Sequence, residues 1–181
     1  LLNFEYKQNF KDEDFYVSDS NYYAFKLIDS WPKWGKNFLN ICGEKYSGKT
    51  HLTNIFLKKF KGIKIEASCF ENKNLNEIKI YENIILDNFD QNIDEYLIYS
   101  LFNIIDQDNK YLIINSLTPI NEMSFKLDDL KSRTKNCLVA KIDKPDDELM
   151  FALILKNFSD RQIIIDKKLI NFIIKRVDRS Y

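Results

Sequence analysis

Residues 43–50 read Gly-Glu-Lys-Tyr-Ser-Gly-Lys-Thr, a complete G-x-x-x-x-G-K-[ST] phosphate-binding loop. Its flanks narrow the fold. The apolar run Phe38-Leu39-Asn40-Ile41-Cys42 can end a buried strand, and residues 49–60 have the spacing of a helix that starts directly after the loop. A strand, a tight turn and a helix in that order aim backbone N–H groups and the positive end of a helix dipole at one point. Gly43 and Gly48 allow the backbone angles such a turn needs, with Glu44, Lys45, Tyr46 and Ser47 forming the arch between them. Lys49 is placed to reach the β- and γ-phosphates, and Thr50 to offer its hydroxyl to Mg²⁺. A chance match in a Gly-containing turn would not carry the correct elements on both sides. ADP or ATP, with Mg²⁺, is therefore the expected cofactor.

Short apolar runs at 38–42, 63–65, 83–86, 111–114 and 137–142 have the length and β-branched content of buried strands. Helical spacing falls between them, at 49–60, at 93–105 with Ile93, Leu97, Leu101, Ile104 and Ile105 on one face, and at 128–134. This alternation predicts an α/β domain of the P-loop NTPase class with a five-stranded parallel sheet. The pattern changes at Pro145. Asp146, Asp147 and Glu148 suit a helix N-terminus, and Leu149, Phe151, Ala152, Leu155 and Phe158 supply an apolar face. Asp166 can cap a second helix over 167–177, with Leu169, Ile170, Ile173 and Ile174 on one side. The expected division is a tail over 1–13, a nucleotide-binding domain over 14–144, and the start of a helical lid over 145–181.

The 27 basic and 27 acidic residues cancel, so no global field recruits nucleic acid, and direct sequence-specific DNA binding is not expected. No apolar stretch approaches the length of a membrane span and no signal-peptide pattern opens the chain, which makes the cytoplasm the expected location. Cys42, Cys69 and Cys137 form no C-x-x-C pair and read as buried reduced thiols. The first residue is Leu1, so further residues are expected before it.

Ile84-Ile85-Leu86-Asp87 has the form of an apolar strand ending in the carboxylate that holds the Mg²⁺ shell in P-loop enzymes. A strand followed by a capping Asp is the alternative, and the full phosphate loop favours the metal-supporting role. Asn88 follows where many hydrolases place an acid, and an amide cannot accept a proton from the attacking water at neutral pH. Weak or no intrinsic hydrolysis is expected, with Asp90 as a displaced substitute. Asn115 and Ser116 end the fourth run, and if that strand neighbours 38–42 either can sense the γ-phosphate, with ordinary strand-end capping as the alternative. Arg133 closes a short helix before the fifth run, where it can project into a neighbouring subunit's nucleotide site or simply be solvated.

The ordered set Asp14-Phe15-Tyr16-Val17 with Ser20-Asn21, the phosphate loop with His51 and Leu52 after it, Ile85-Leu86-Asp87-Asn88, Asp129-Leu130-Lys131-Ser132-Arg133, the 144–150 segment KPDDELM and the 158–166 segment FSDRQIIID resembles the AAA+ module of the DnaA/Hda family. DnaA is the bacterial replication initiator and Hda a DnaA-related regulator; Asn88 brings the chain closer to Hda-like proteins. The resemblance runs from about Asp14 to Tyr181. It implies that Phe15, Tyr16 and Val17 pack near the adenine, that Gly43, Gly48, Lys49 and Thr50 hold phosphates and metal, and that Asp87 supports the metal. His51 follows the loop in the family too and reads as structural.

By the same resemblance Arg133 is an arginine finger acting in trans on ATP bound to DnaA, and the partners are DnaA and the DNA polymerase sliding clamp. Leu1-Leu2-Asn3-Phe4 resembles the apolar end of the family's clamp-docking peptide, without its Gln, and Tyr6 and Phe10 add aromatics to that tail. The family's lid sensor arginine falls beyond Tyr181, and the DNA-binding helix-turn-helix domain of DnaA has no counterpart here. The implied function is regulation of chromosomal replication initiation, by promoting hydrolysis of DnaA-bound ATP. An autonomous DnaA-like AAA+ ATPase acting in initiation or loading is the alternative. A small-molecule P-loop kinase is disfavoured because 129–133 and 144–150 fit the initiator-like order. Self-association stays open.

Overall fold

A computed structural model describes residues 15–176; the expected clamp-docking tail and Asp14 lie outside the described residues. The strands are β1 (Phe38–Cys42), β2 (Gly62–Glu66), β3 (Asn83–Phe89), β4 (Tyr111–Ser116) and β5 (Leu138–Lys141). They form one parallel sheet in the order β2-β3-β4-β1-β5. The helices are α1 (Tyr22–Asp29), α2 (Lys49–Lys59), α3 (Asn72–Glu77), α4 (Glu95–Gln107), α5 (Asp128–Lys135), α6 (Asp147–Asp160) and α7 (Lys167–Ile174).

Strand alternation sorts the core into two layers. Phe38, Ile84, Leu86, Leu112 and Ile114 pack against Leu97, Ile98, Leu101, Phe102 and Ile105 of α4 and Leu130 of α5. The intervening residues Leu39, Ile41, Ile85, Ile113 and Ala140 face Leu52 and Phe56 of α2, and Ala24 and Ile28 of α1. The central strands β1, β3 and β4 are therefore largely apolar on both sides, which is why they read as short hydrophobic runs. Phe102 has no exposed surface and stacks on Phe38 at 4.6 Å between ring centres. Phe102→Ala is expected to lower stability by about 4 kcal/mol, the transfer loss plus a cavity, read as a fall in the urea midpoint.

One buried polar residue shapes the rim of the site. Asn40, fully buried in β1, donates to Ile114 O and Ser116 Oγ, and its Oδ1 accepts from Ile120 N at 2.8 Å. Each bond replaces one lost to water, and together they fix the turn after β4.

Two helices, α1 and α3, lie outside the segments that the sequence predicts as helical. Residues 72–77, Asn-Lys-Asn-Leu-Asn-Glu, form α3 because Asn74 Oδ1 accepts from Glu71 N at 2.8 Å and holds the first turn. α1 is rich in aromatic residues of modest helix propensity, and it forms where Ala24 and Ile28, four residues apart, dock on the sheet. Another correction concerns the thiols. Cys42 and Cys137 are buried, and burial pushes both up, Cys137 to about 12, but Cys69 is exposed in the turn after edge strand β2.

α6 and α7 enclose a small core of Met150, Ile170 and Ile174. Asp146 caps α6 through Leu149 N at 2.7 Å and also accepts from Ser20 N, while Tyr16 Oη donates to Glu148 Oε1. These bonds tie the helix pair to the segment before α1. No helix of the described residues is long and apolar enough to cross a membrane.

Candidate functional site

The phosphate loop links the end of β1 to α2 as its flanks require. Gly48 has φ +89° and caps α2, and Tyr46 also adopts the left-handed region at φ +64° with its ring in solvent. Gly43 is needed for a different reason than its backbone angle. A Cβ there would lie 2.8 Å from Ile142 O and 3.0 Å from Ser47 Oγ, so its role is the close approach of the loop to the end of β5. Lys49 donates from Nζ to Gly43 O at 2.9 Å, Glu44 O at 2.6 Å and Ser47 Oγ at 3.3 Å, which places the ammonium at the mouth of the loop. Burial pulls its pKa down, and the Asp87 carboxylate opposes that shift.

Because β1 pairs with β4 and β4 with β3, the ends of these three strands share one rim. Thr50 Oγ1 donates to Asp87 Oδ1 at 3.1 Å, bringing together a hydroxyl and a carboxylate, the hard oxygen donors Mg²⁺ takes. These residues fit the metal. Among the described residues no group of three or more His, Cys, Asp and Glu converges on one point. The donor set therefore suits an ion that brings phosphate and water oxygens with it rather than a closed protein cage.

β3 does not stop at the carboxylate. It continues to Phe89 with a shift of register against β4 between Leu86 and Phe89, and Asn88 adopts φ +54°, a conformation Asn tolerates better than most residues. The irregularity lets Asp87 point inward, where it is 2% exposed, while Asn88 faces the cleft and donates to Glu66 Oε1 at 2.9 Å. Asp90, the displaced acid, stands on the rim, and its Oδ1 accepts from Asn92 N at 2.8 Å.

A cleft of about 640 Å³ opens over these groups, lined by the loop from Lys45 to His51, by Asn88, Phe89 and Asp90, and by Ser116 and Leu117. Asn115 is not part of its lining. It is fully buried, donating to Asp87 Oδ1 at 2.9 Å and Thr53 Oγ1 at 3.1 Å, and so it touches the rim through the carboxylate. Ser116 does line the cleft, with its hydroxyl donated to Thr118 O. Phe15 lies on the other flank of the loop, where its ring would meet a Cβ on Gly48 at 3.2 Å and sits edge-on to His51 at 5.7 Å. Tyr16 turns to α6 and Val17 is half-buried beside it.

No protein-family model matches the chain. Among solved structures it is similar to AMPPCP-bound DnaA from Aquifex aeolicus, with 20% identity over 91% of this chain and 59% of that one, at a TM-score of 0.74. Domain III of the Thermotoga maritima replication initiation protein DnaA aligns with 22% identity over 92% of this chain and 80% of that one, at 0.72. The chain has the fold of the DnaA AAA+ domain. A DnaI crystal structure is a more distant match, with 14% identity over 68% of this chain and 79% of that one, at 0.51. The chain spans a little under three fifths of the length of the Aquifex DnaA chain.

On this DnaA-type fold Arg133 is remote from the loop's own layer. α5 packs with α4 on the face of the sheet opposite α2, and the Arg133 guanidinium pairs with Asp106 and lies 5.5 Å over the Tyr99 ring, both on α4. Sequence reasoning missed Lys64 of β2, whose Nζ is 3.9 Å from Asp87 Oδ2. The signal was slight: one lysine alternating with Ile63 and Ile65 on a short edge strand.

Proposed function

We propose that the chain is a nucleotide-controlled regulator of chromosomal replication initiation, Hda-like, which binds ADP or ATP with Mg²⁺ and promotes hydrolysis of ATP on DnaA together with the sliding clamp. The observation that supports it is the complete phosphate loop joined through Thr50 to Asp87, followed by Asn88 where a hydrolase carries a second acid. In this reading Lys49 and the loop amides hold the phosphates, Thr50 and Asp87 the metal, and Asn115 keeps the Asp87 carboxylate oriented. Bound Mg²⁺ supplies positive charge against the β- and γ-phosphate oxygens. Phe15, Tyr16 and Val17 flank the base, and α6 and α7 act as the lid, joined to that flank by the bond between Tyr16 and Glu148. His51 steadies Phe15 by its edge-on contact. The protein works in the cytoplasm, and Arg133 acts in trans.

Asp90 on the cleft rim favours a second reading, an autonomous DnaA-like ATPase that uses this carboxylate in place of the missing acid. Steady-state phosphate release separates the two. Under the regulatory reading the isolated protein turns over ATP at or near background, and hydrolysis rises only when DnaA and DNA-loaded clamp are both added. Turnover that is the same with and without DnaA would establish the autonomous enzyme instead.

A further inference from the structure

Asp87 is nearly sealed from solvent, and its two oxygens face different partners. Oδ1 accepts from Thr50 Oγ1 at 3.1 Å, Asn115 Nδ2 at 2.9 Å and Asn88 N at 3.2 Å. Oδ2 faces the ammonium of Lys64, 3.9 Å away on the neighbouring edge strand, where Glu66 and Asp87 are register partners. Lys64 is held there. Its Nζ donates to Asn54 Oδ1 of α2 at 2.8 Å, so the cation bridges helix and sheet beside the carboxylate.

A buried carboxylate needs positive charge close by, and in a phosphate-loop site that charge ordinarily comes from the metal ion on the cleft side. Lys49 is also near Asp87, but its three hydrogen bonds go to the loop, on the side where phosphates bind. Lys64 faces Oδ2 from the edge strand β2. We infer that Lys64 is a built-in counter-cation for Asp87, a positioning residue that neutralises the carboxylate without metal and so makes nucleotide binding only weakly dependent on Mg²⁺. The inference rests on the nucleotide-binding reading above and adds to it how the site treats its metal. The ammonium would repel a divalent ion held by Thr50 and Asp87, and its removal would leave the buried carboxylate with less positive charge beside it, so that the ion would be needed more.

The test is the affinity for ADP measured with Mg²⁺ and with excess EDTA, in the wild type, Lys64→Gln and Lys64→Arg. Lys64→Gln removes the charge and retains an amide for Asn54. Its ratio of Kd in EDTA to Kd in Mg²⁺ is expected to exceed the wild-type ratio by about tenfold, because a unit charge has been taken from beside the carboxylate. Lys64→Arg restores the wild-type ratio. Should Lys64→Gln fail to fold, Asn54→Ala carries the test: it frees the ammonium toward solvent and moves the ratio in the same direction by a smaller factor. Equal ratios in the wild type and the neutral variant overturn the role of Lys64 alone. Absence of ADP binding by the wild type under both conditions overturns this inference together with the nucleotide reading beneath it.

Discussion

Lys49→Ala is expected to weaken binding of ADP and ATP by about two orders of magnitude, corresponding to about 3 kcal/mol for deleting a buried charged partner of a phosphate. Two effects add. The substitution removes the ammonium held at the mouth of the loop, and it strips Gly43 O and Glu44 O of the donor they share. The second effect loosens the arch whose amides do the rest of the work. Lys49→Arg does not rescue, because a planar fork cannot replace a compact ammonium between two carbonyls and the Ser47 hydroxyl. Isothermal titration with ADP and Mg²⁺ measures the effect, and the melting temperature without nucleotide shows whether the fold survives. Wild-type affinity in a folded Lys49→Ala protein would remove the phosphate loop from the account.

How much of this was visible in the sequence depends on whether one short stretch of chain carries the signal. The phosphate loop was, because Gly, Lys and Thr at fixed spacing define a local structure, and the three central strands were, because burial on both faces leaves a mostly apolar run. The strand-end position of Asn115 beside β1 was also legible, as a condition on the strand order that the sheet meets. Its commitment to Asp87 was not, since that is a contact between two strands 28 residues apart. Gly43 looked like a residue chosen for its backbone angle and proved to be one chosen for space against Ile142, a neighbour supplied by β5. The end of β3 was misplaced because a carboxylate reads as a boundary, whereas a register shift and a left-handed Asn88 carry the strand through it. Lys64 belongs to the same class: its meaning lies in which carboxylate stands beside it across the sheet.

Arg133→Ala is expected to reduce stimulated hydrolysis of DnaA-bound ATP by about a thousandfold while leaving this protein's own nucleotide affinity unchanged, since an arginine finger neutralises charge that develops only in the transition state. The structure adds a step. The guanidinium is paired with Asp106 and lies over Tyr99 of α4, so reaching a partner's phosphate requires it to exchange one carboxylate for the phosphate oxygens. The comparison of magnitudes favours that exchange. A partly exposed ion pair is worth about 1 kcal/mol or less. A thousandfold change in rate corresponds to about 4 kcal/mol, so the contact with Asp106 can hold the side chain at rest without competing with the transition state. Folding stability should therefore change little on Arg133→Ala, which keeps the loss of stimulation separable from unfolding. Lys at the same position retains the charge but cannot make the two-pronged contact, and an intermediate loss is expected. The measurement is phosphate release from DnaA preloaded with labelled ATP, with DNA-loaded clamp and each variant. Full stimulation by Arg133→Ala would show that the trans contact is made by another residue, and the assignment of Arg133 would fall while nucleotide binding at residues 43–50 stood.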